Sequence, residues 1–199
     1  GRLGLANFYF RKKDYTQCDI ELQKITNPQF ANDIRCLKLK ADNCFQRGLY
    51  NEALDNYQKC KNVESPFKNE VMIGIGNCYF KKDDYRNATI TFEALDRANP
   101  KDIQIKINLA ACYMMRGRPK DAIKVFMRCK QLDPNNWGIR LYLAKVYMQT
   151  EEYDNAVAMI KEYINNNQKD YLGHLRMAEL YEHMGALQSA LEEIEVSSS

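Results

Sequence analysis

Apolar side chains recur along this chain at intervals of three and four residues, the spacing of one face of an α-helix. Ile103, Ile107 and Ala110 keep that spacing, and residues 122–129 repeat it a short distance further on. Between such runs stand short polar strings such as ANPKD and LDPNN, which are typical of turns. No stretch alternates in the way that predicts a strand, so the pattern predicts an all-α chain of paired helices.

The pairs belong to an internal repeat. The phrase YFRKKDYTQCDIEL at residues 9–22 returns as YFKKDDYRNATITF at residues 79–92, and related phrases start at 44, 113, 147 and 181. Self-similarity at a spacing of about 34 residues predicts a stacked array of about six helix–turn–helix units. We expect a single array over 1–199, with units at approximately 1–33, 34–68, 69–102, 103–136, 137–170 and 171–199.

Two columns of small residues explain how the helices could pack closely. Three residues before each phrase stand Ala6, Ala41, Gly76, Ala110, Ala144 and Ala178. Nine residues after each phrase start stand Cys18, Ala53, Ala88, Ala122, Ala156 and Ala190. Small side chains let two helix backbones approach, where a leucine would hold them apart. Glycines at 48, 117 and 185 predict the turn inside a unit, and prolines at 66, 100 and 134 predict the boundary between units.

These columns resemble the tetratricopeptide repeat, a helix–turn–helix of 34 residues, over essentially the whole chain. The resemblance implies an α-solenoid with a right-handed superhelix, whose first helices line a concave groove that binds a peptide or helix of a partner protein. A narrower likeness joins LANFYFRKKDY at residues 5–15 to part of the large tetratricopeptide-repeat subunit family of the polymerase-associated factor transcription elongation complex. It implies a nuclear partner subunit, although most of the shared residues are common to tetratricopeptide repeats in general.

By this resemblance, partner-binding groove residues come from fixed positions of each first helix. The expected groove residues are Asn7, Phe10, Lys38, Phe45, Ile73, Asn77, Phe80, Ile107, Asn108, Met114, Leu141, Lys145 and Met148. Apolar side chains on a concave face often mark a partner site, but the same residues could simply pack between helices. A clamp for a chaperone C-terminal carboxylate is rejected, because its cationic positions hold Ile73, Gly138 and Tyr142.

A second candidate surface is a basic ridge at the turn of each unit. Its residues are Arg11, Lys12, Lys13, Lys81, Lys82, Arg116 and Arg118. The ridge could bind an acidic tail or a nucleic-acid backbone. Alternatively, lysine and arginine stand there because the negative end of the first-helix dipole favours cations.

Composition narrows the function further. A net charge of +3 argues against nucleic acid as the main partner, and no apolar run approaches the roughly 20 residues of a membrane span. Seven cysteines without a CxxC pair predict reduced thiols in the cytoplasm or nucleus, with no metal site and no cofactor. Only two histidines occur, without a phosphate loop or a nucleophile elbow, so we expect no enzyme activity.

The chain is therefore interpreted as a non-catalytic protein–protein interaction scaffold within a multiprotein complex. The last unit ends without a polar capping helix, which predicts a fragment of a longer array. Its open apolar positions, Leu187, Leu191 and Ile194, also allow self-association through the end of the array.

Overall fold

The computed structural model describes residues 1–61, 63, 65–167 and 170–198, without the side chains of 196–198. The regular structure in these residues is helical throughout, which confirms the all-α prediction. The helices are α1 Arg2–Arg11, α2 Tyr15–Gln23, α3 Pro28–Ala31, α4 Ile34–Gln46, α5 Tyr50–Lys61, α6 Lys68–Lys81, α7 Tyr85–Ala98, α8 Ile103–Met115, α9 Pro119–Leu132, α10 Gly138–Gln149, α11 Tyr153–Asn166, α12 Tyr171–His183 and α13 Leu187–Ser198.

Aspartate side chains begin many of these helices. An Oδ1 atom accepts a hydrogen bond from a backbone N–H two or three residues later at Asp14, Asp33, Asp84, Asp102 and Asp170. Each such cap satisfies a backbone donor that the first helical turn leaves free, and contributes about 1 kcal/mol. The short helix α3, which the repeat pattern did not predict, begins in the same way at Asn27, with a proline in its first turn.

The turn inside each unit requires one residue in the left-handed region of backbone space. Gly48, Gly117 and Gly185 fill this position with φ of 77°, 66° and 76°, which confirms the predicted turns. The other three units place Lys13, Asp83 and Glu151 there, with φ near 60°. A side chain makes that conformation less favourable, so these three turns carry local strain.

The helices gather into two compact parts, each containing several repeats. Residues 1–99 form the part called unit 1, and residues 100–199 form the part called unit 2. In unit 1 the core runs from α1 to α6 and includes Tyr57, packed with Val71, Ile75 and Cys78. In unit 2 a core cluster joins Ile160 of α11 to Met177 and Leu180 of α12.

All twelve residues of the two small-residue columns are buried, as expected if they allow the helix backbones to approach closely. Two glycines of α6, one of them the column residue Gly76, pack directly against aromatic rings. A Cβ atom on Gly74 would lie 2.4 Å from the Tyr57 ring, and one on Gly76 would lie 2.8 Å from the Phe92 ring. The large side chain of one helix therefore occupies the space that the small residue of the next leaves open.

All seven cysteines are free, and all but the half-buried Cys44 are buried. Burial raises the pKa of the Cys78 and Cys112 thiols to about 12. These thiols stay protonated at neutral pH and act as small apolar side chains. In the part of the chain that the structure describes, no helix combines the length and apolar character needed to cross a bilayer.

Candidate functional site

Unit 1 has an open groove of about 540 Å³ between α1 and α4, which we call the α1/α4 groove. It brings together the predicted residues Asn7, Phe10 and Lys38, and it adds Arg35 and Phe67, which the repeat columns did not indicate. Phe10 is half-buried against the core, whereas Asn7 is exposed.

Lys38 is held inside the α1/α4 groove by a network of charges. Its Nζ lies 3.0 Å from an Oδ2 atom of Asp42 and 2.8 Å from Glu70, and Asp42 in turn accepts a 2.5 Å hydrogen bond from the Tyr57 hydroxyl. Burial works to lower the pKa of Lys38, but the hydrogen bond to Glu70 and the charge of Asp42 outweigh it and raise the pKa. Lys38 is therefore a fixed part of the groove wall, already neutralised by carboxylates, whereas Arg11 at the rim is exposed.

Unit 2 has a larger groove of about 780 Å³ between α10 and α12, the α10/α12 groove. Leu141, Lys145 and Met148 line it, so the structure brings the three predicted groove residues of α10 together. The other contributors are Trp137, Tyr142, Ile160, Tyr163, Leu172, Arg176, Glu179 and His183, with several small and amide residues. The groove is thus mainly apolar and aromatic, with an exposed ammonium group on one wall.

A partly buried ion network supports the start of α10 beside this groove. The Nε atom of Arg140 donates to Glu162 at 3.2 Å, and Lys130 lies 2.8 Å from the same carboxylate. The Arg140 guanidinium also lies 4.4 Å from the centre of the Trp137 ring. Burial works to raise the pKa of Glu162, but the hydrogen bonds from Lys130 and Arg140 outweigh it and lower the pKa. The network keeps Trp137 in place as one wall of the groove.

The phenylalanines of the expected groove pack on a tyrosine at the start of the second helix of their own repeat. The pairs are Phe10–Tyr15, Phe45–Tyr50 and Phe80–Tyr85, with ring centroids 5.6, 5.4 and 5.3 Å apart. These phenylalanines are half-buried, so one face serves intramolecular packing and the other reaches the surface. These tyrosines were not among the expected site residues, although their spacing of five residues from each phenylalanine is visible in the sequence.

The remaining expected groove residues lie in neither groove. In unit 1 the half-buried ones are Phe45 on α4 and Ile73, Asn77 and Phe80 on α6, and in unit 2 they are Ile107, Asn108 and Met114 on α8. The Oδ1 atom of Asn108 accepts a 3.3 Å hydrogen bond from Gln104. Their role in partner binding stays a prediction.

The basic ridge is exposed at all seven positions, with Arg11, Lys12, Lys13, Lys81 and Lys82 in unit 1 and Arg116 and Arg118 in unit 2. Several of these cations already have neighbours. Arg118 lies 2.7 Å from Asp121 and 4.7 Å from the centre of the Tyr113 ring, and Lys12 lies 6.0 Å from the Phe8 ring. The ridge is thus partly neutralised within its own turns.

The described residues contain no group of three or more His, Cys, Asp or Glu side chains placed to hold a metal ion. His174 has its Nδ1 atom 2.7 Å from Glu193, which ties α12 to α13.

The groove residues that the columns missed, above all Trp137 and Arg176, come from positions outside the expected set. Trp137 did stand out in the sequence, because it heads the fifth unit where the repeat pattern has no tryptophan.

Comparison with known proteins supports the repeat assignment in part of the chain. Residues 70–102 match the family model of the tetratricopeptide repeat. Residues 118–188 match the model of regulator of microtubule dynamics protein 1-3. A comparison with curated proteins gives no match.

Solved structures resemble the fold over most of the chain. A tetratricopeptide repeat protein from Parabacteroides merdae has a TM-score of 0.74 at 17% identity, covering 99% of this chain and 76% of that one. A putative kinesin light chain with tetratricopeptide-like repeats from Podospora anserina has a TM-score of 0.72 at 16% identity, covering 84% and 94%. The protein MamA has a TM-score of 0.62 at 20% identity, covering 81% and 92%. Residues 70–102 thus match a tetratricopeptide repeat, and the paired helices and these likenesses show that the chain has the all-α solenoid fold of tetratricopeptide-repeat proteins.

Proposed function

We propose that the chain is a non-catalytic scaffold that binds a peptide or helix of a partner protein within a multiprotein complex. Tetratricopeptide repeats generally serve protein–protein interaction. The observation that carries the proposal is the α10/α12 groove, an open, mainly apolar groove formed by first helices of successive repeats. A groove of this kind binds side chains through burial of apolar area.

The lining of the groove indicates what the partner brings. Leu141, Met148 and Trp137 favour an aliphatic or aromatic anchor, and methionine adapts to anchors of different shapes. Lys145 is exposed on the same wall, while Arg176 is tied to Glu179 at 2.7 Å. The exposed ammonium of Lys145 favours an acidic residue beside the anchor.

The test is a selection from a displayed peptide library on the immobilised chain, followed by calorimetry of the selected peptides. We expect peptides with an apolar anchor and a nearby Asp or Glu. Leu141→Asp should weaken them at least about tenfold, since it places a charge against the buried anchor. The matched control is Met115→Asp, because Met115 is an exposed apolar residue outside both grooves. Selected peptides that bind Leu141→Asp as tightly as the unmodified chain would show that the partner binds elsewhere.

A second candidate partner is the microtubule, because residues 118–188 match the regulator of microtubule dynamics model. Of the basic ridge in unit 2, Arg118 is the first residue of this segment and Arg116 stands two residues before it, so an acidic protein surface could contact both. Co-sedimentation with microtubules at low and high salt tests this candidate, and binding should fall steeply with salt. Arg116→Glu should reduce microtubule binding more than Arg128→Glu, which reverses the same charge at a position on α9 outside the ridge. Equal effects of the two variants would show that the ridge has no specific role in microtubule binding.

The resemblance to a subunit of the polymerase-associated factor complex stays a prediction from the sequence. A location in the cytoplasm or nucleus stays a prediction as well. None of the relatives named above is a subunit of that complex.

A further inference from the structure

Helix α9 exposes a row of three basic side chains, which we call the α9 row. Lys120, Lys124 and Arg128 stand four residues apart, so they share one face of the helix at a spacing of about 6 Å. All three are exposed, and the Lys124 side chain is 74% exposed. Helix α9 carries four basic side chains and one acidic one, so its net charge of +3 equals that of the whole chain.

The repeat pattern does not require the α9 row. The equivalent residues are Asp154, Ala158 and Glu162 in α11 and Arg86, Ile90 and Ala94 in α7. No other repeat has more than one basic residue at these three positions. A requirement of the fold would recur from repeat to repeat, so the row has a reason that is specific to this helix.

The α9 row is also unfavourable for the helix that carries it. Lys120 lies in the first turn, where the positive end of the helix dipole disfavours a cation. Each basic side chain of the row also repels the next one, four residues away. Lys124 shares the carboxylate of Asp121 with Arg118, and within the described residues neither Lys120 nor Arg128 forms an ion pair. The row therefore opposes folding, and its outer two cations remain available to a partner.

The spacing of the α9 row fits the carboxylates of an extended acidic segment. In an extended chain every second side chain points to the same side, and a rise of about 3.3 Å per residue puts these side chains about 6.6 Å apart. Three such carboxylates cover almost the same length as the three cations, and the flexible lysine side chains take up the difference. Met127 is 38% exposed beside Lys124, so it offers contact to an apolar residue next to the acidic run.

Other classes of partner fit the α9 row less well. A partner helix needs an apolar strip to dock, and of the large apolar side chains of α9, all within the described residues, only Met127 and Leu132 are exposed. Single-stranded nucleic acid is usually bound by aromatic side chains as well as cations, and Phe126, the aromatic residue of α9, is buried. An anionic membrane suits a broad basic surface, whereas the equivalent positions of α11 hold two acidic residues.

We propose that the α9 row binds an extended acidic segment of a partner protein, with Asp or Glu at alternating positions. The row is distinct from the basic ridge, whose residues in unit 2, Arg116 and Arg118, precede α9. None of its three residues lines the α10/α12 groove, so it is independent of the peptide binding proposed there.

Fluorescence anisotropy with a labelled peptide of alternating glutamate and serine tests the proposal, with glutamine in place of glutamate in the control peptide. We expect the full chain to bind the glutamate peptide and not the glutamine peptide at low salt, with an affinity that falls as salt rises. Lys124→Glu should weaken binding at least about threefold. The matched control is Lys161→Glu, which reverses another exposed lysine of unit 2, on α11, and should bind like the unmodified chain.

Lys120→Glu separates binding from folding. It places a carboxylate in the first turn of α9, where the dipole favours an anion, and pairs it with Lys124 four residues later. We expect the thermal midpoint to stay the same or rise, while the affinity for the glutamate peptide falls at least about threefold. A merely structural role of Lys120 would lower the thermal midpoint and leave the affinity unchanged.

Three further results would overturn the proposal. A glutamate peptide that does not bind even at low salt would show that the row takes no acidic segment. Equal weakening by Lys124→Glu and Lys161→Glu would show that binding follows overall charge and not the row. Tighter binding of a single-stranded oligonucleotide or of phosphatidylserine vesicles, lost in Lys124→Glu, would assign the row to nucleic acid or to a membrane.

Discussion

Asn43 offers a sharp test of the packing described for unit 1. It is buried in α4, and neither its side-chain nitrogen nor its oxygen has a hydrogen-bond partner among the described residues. The same repeat position holds Cys78 in α6, Cys112 in α8, Val146 in α10 and Leu180 in α12, all buried apolar residues. A buried amide without partners costs about 1–3 kcal/mol of stability, because folding removes its hydrogen bonds to water without replacing them.

Asn43→Cys removes that cost with a side chain of similar size, so we expect the free energy of unfolding to rise by about 1–2 kcal/mol. At a denaturant slope of about 2 kcal/mol/M, the urea midpoint of unit 1 should rise by about 0.5–1 M. The reciprocal change, Cys78→Asn, introduces the same unpaired amide into α6 and should lower the midpoint by at least as much. Urea unfolding followed by circular dichroism measures both, and an unchanged slope shows that the shift reflects stability.

A lower midpoint for Asn43→Cys would contradict the cost assigned to the buried amide. Such a result would mean that Asn43 has a hydrogen-bond partner in solution, such as an ordered water that the amide holds in place. A drop with Cys78→Asn and no change with Asn43→Cys would show that α4, unlike α6, tolerates the amide.

Three further changes test other features of the fold. Glu151→Gly relieves the left-handed backbone at that turn and should raise stability by about 0.5 kcal/mol, with a loss of stability as the contrary result in thermal denaturation. Gly173→Ala should destabilise unit 2 by about 1–3 kcal/mol, because the new Cβ atom would lie 2.6 Å from Ile164; a neutral effect in urea unfolding would mean that α11 can move aside. The hydrogen bond from Arg35 lowers the pKa of Asp33 from 3.8 to about 2, so its stabilising contribution is complete above about pH 4 and is lost as the pH falls through 2. The stability difference between the unmodified chain and Asp33→Asn should therefore shrink between pH 4 and pH 2, and a difference independent of pH would contradict the assignment.

The sequence by itself determined the repeat, the helix pairs and the turns. Small residues such as Ala110 and Ala122 recur at one spacing because the two helices of every repeat pack together in the same way. The pattern is easy to recognise because the chain contains about six such repeats. Gly117 and Pro134 mark local backbone requirements that depend on their immediate neighbours, so they can be recognised without tertiary contacts.

The candidate site could be predicted only in part. The resemblance to the tetratricopeptide repeat implied Leu141, Lys145 and Met148 as groove residues, and the structure places all three on α10. The tertiary structure decided which neighbours join them, because Trp137 and Arg176 reach the α10/α12 groove from different positions in their repeats.

Tertiary structure also decided which polar and apolar side chains are available to a partner. Lys38 reads as a groove cation in the sequence, but carboxylates from two helices neutralise it. Leu39 and Tyr142 stand at the same repeat position, yet Leu39 is buried and Tyr142 is exposed. Burial and pairing depend on which helix lies opposite a residue, and a repeat column, which is the same in every unit, does not contain that information.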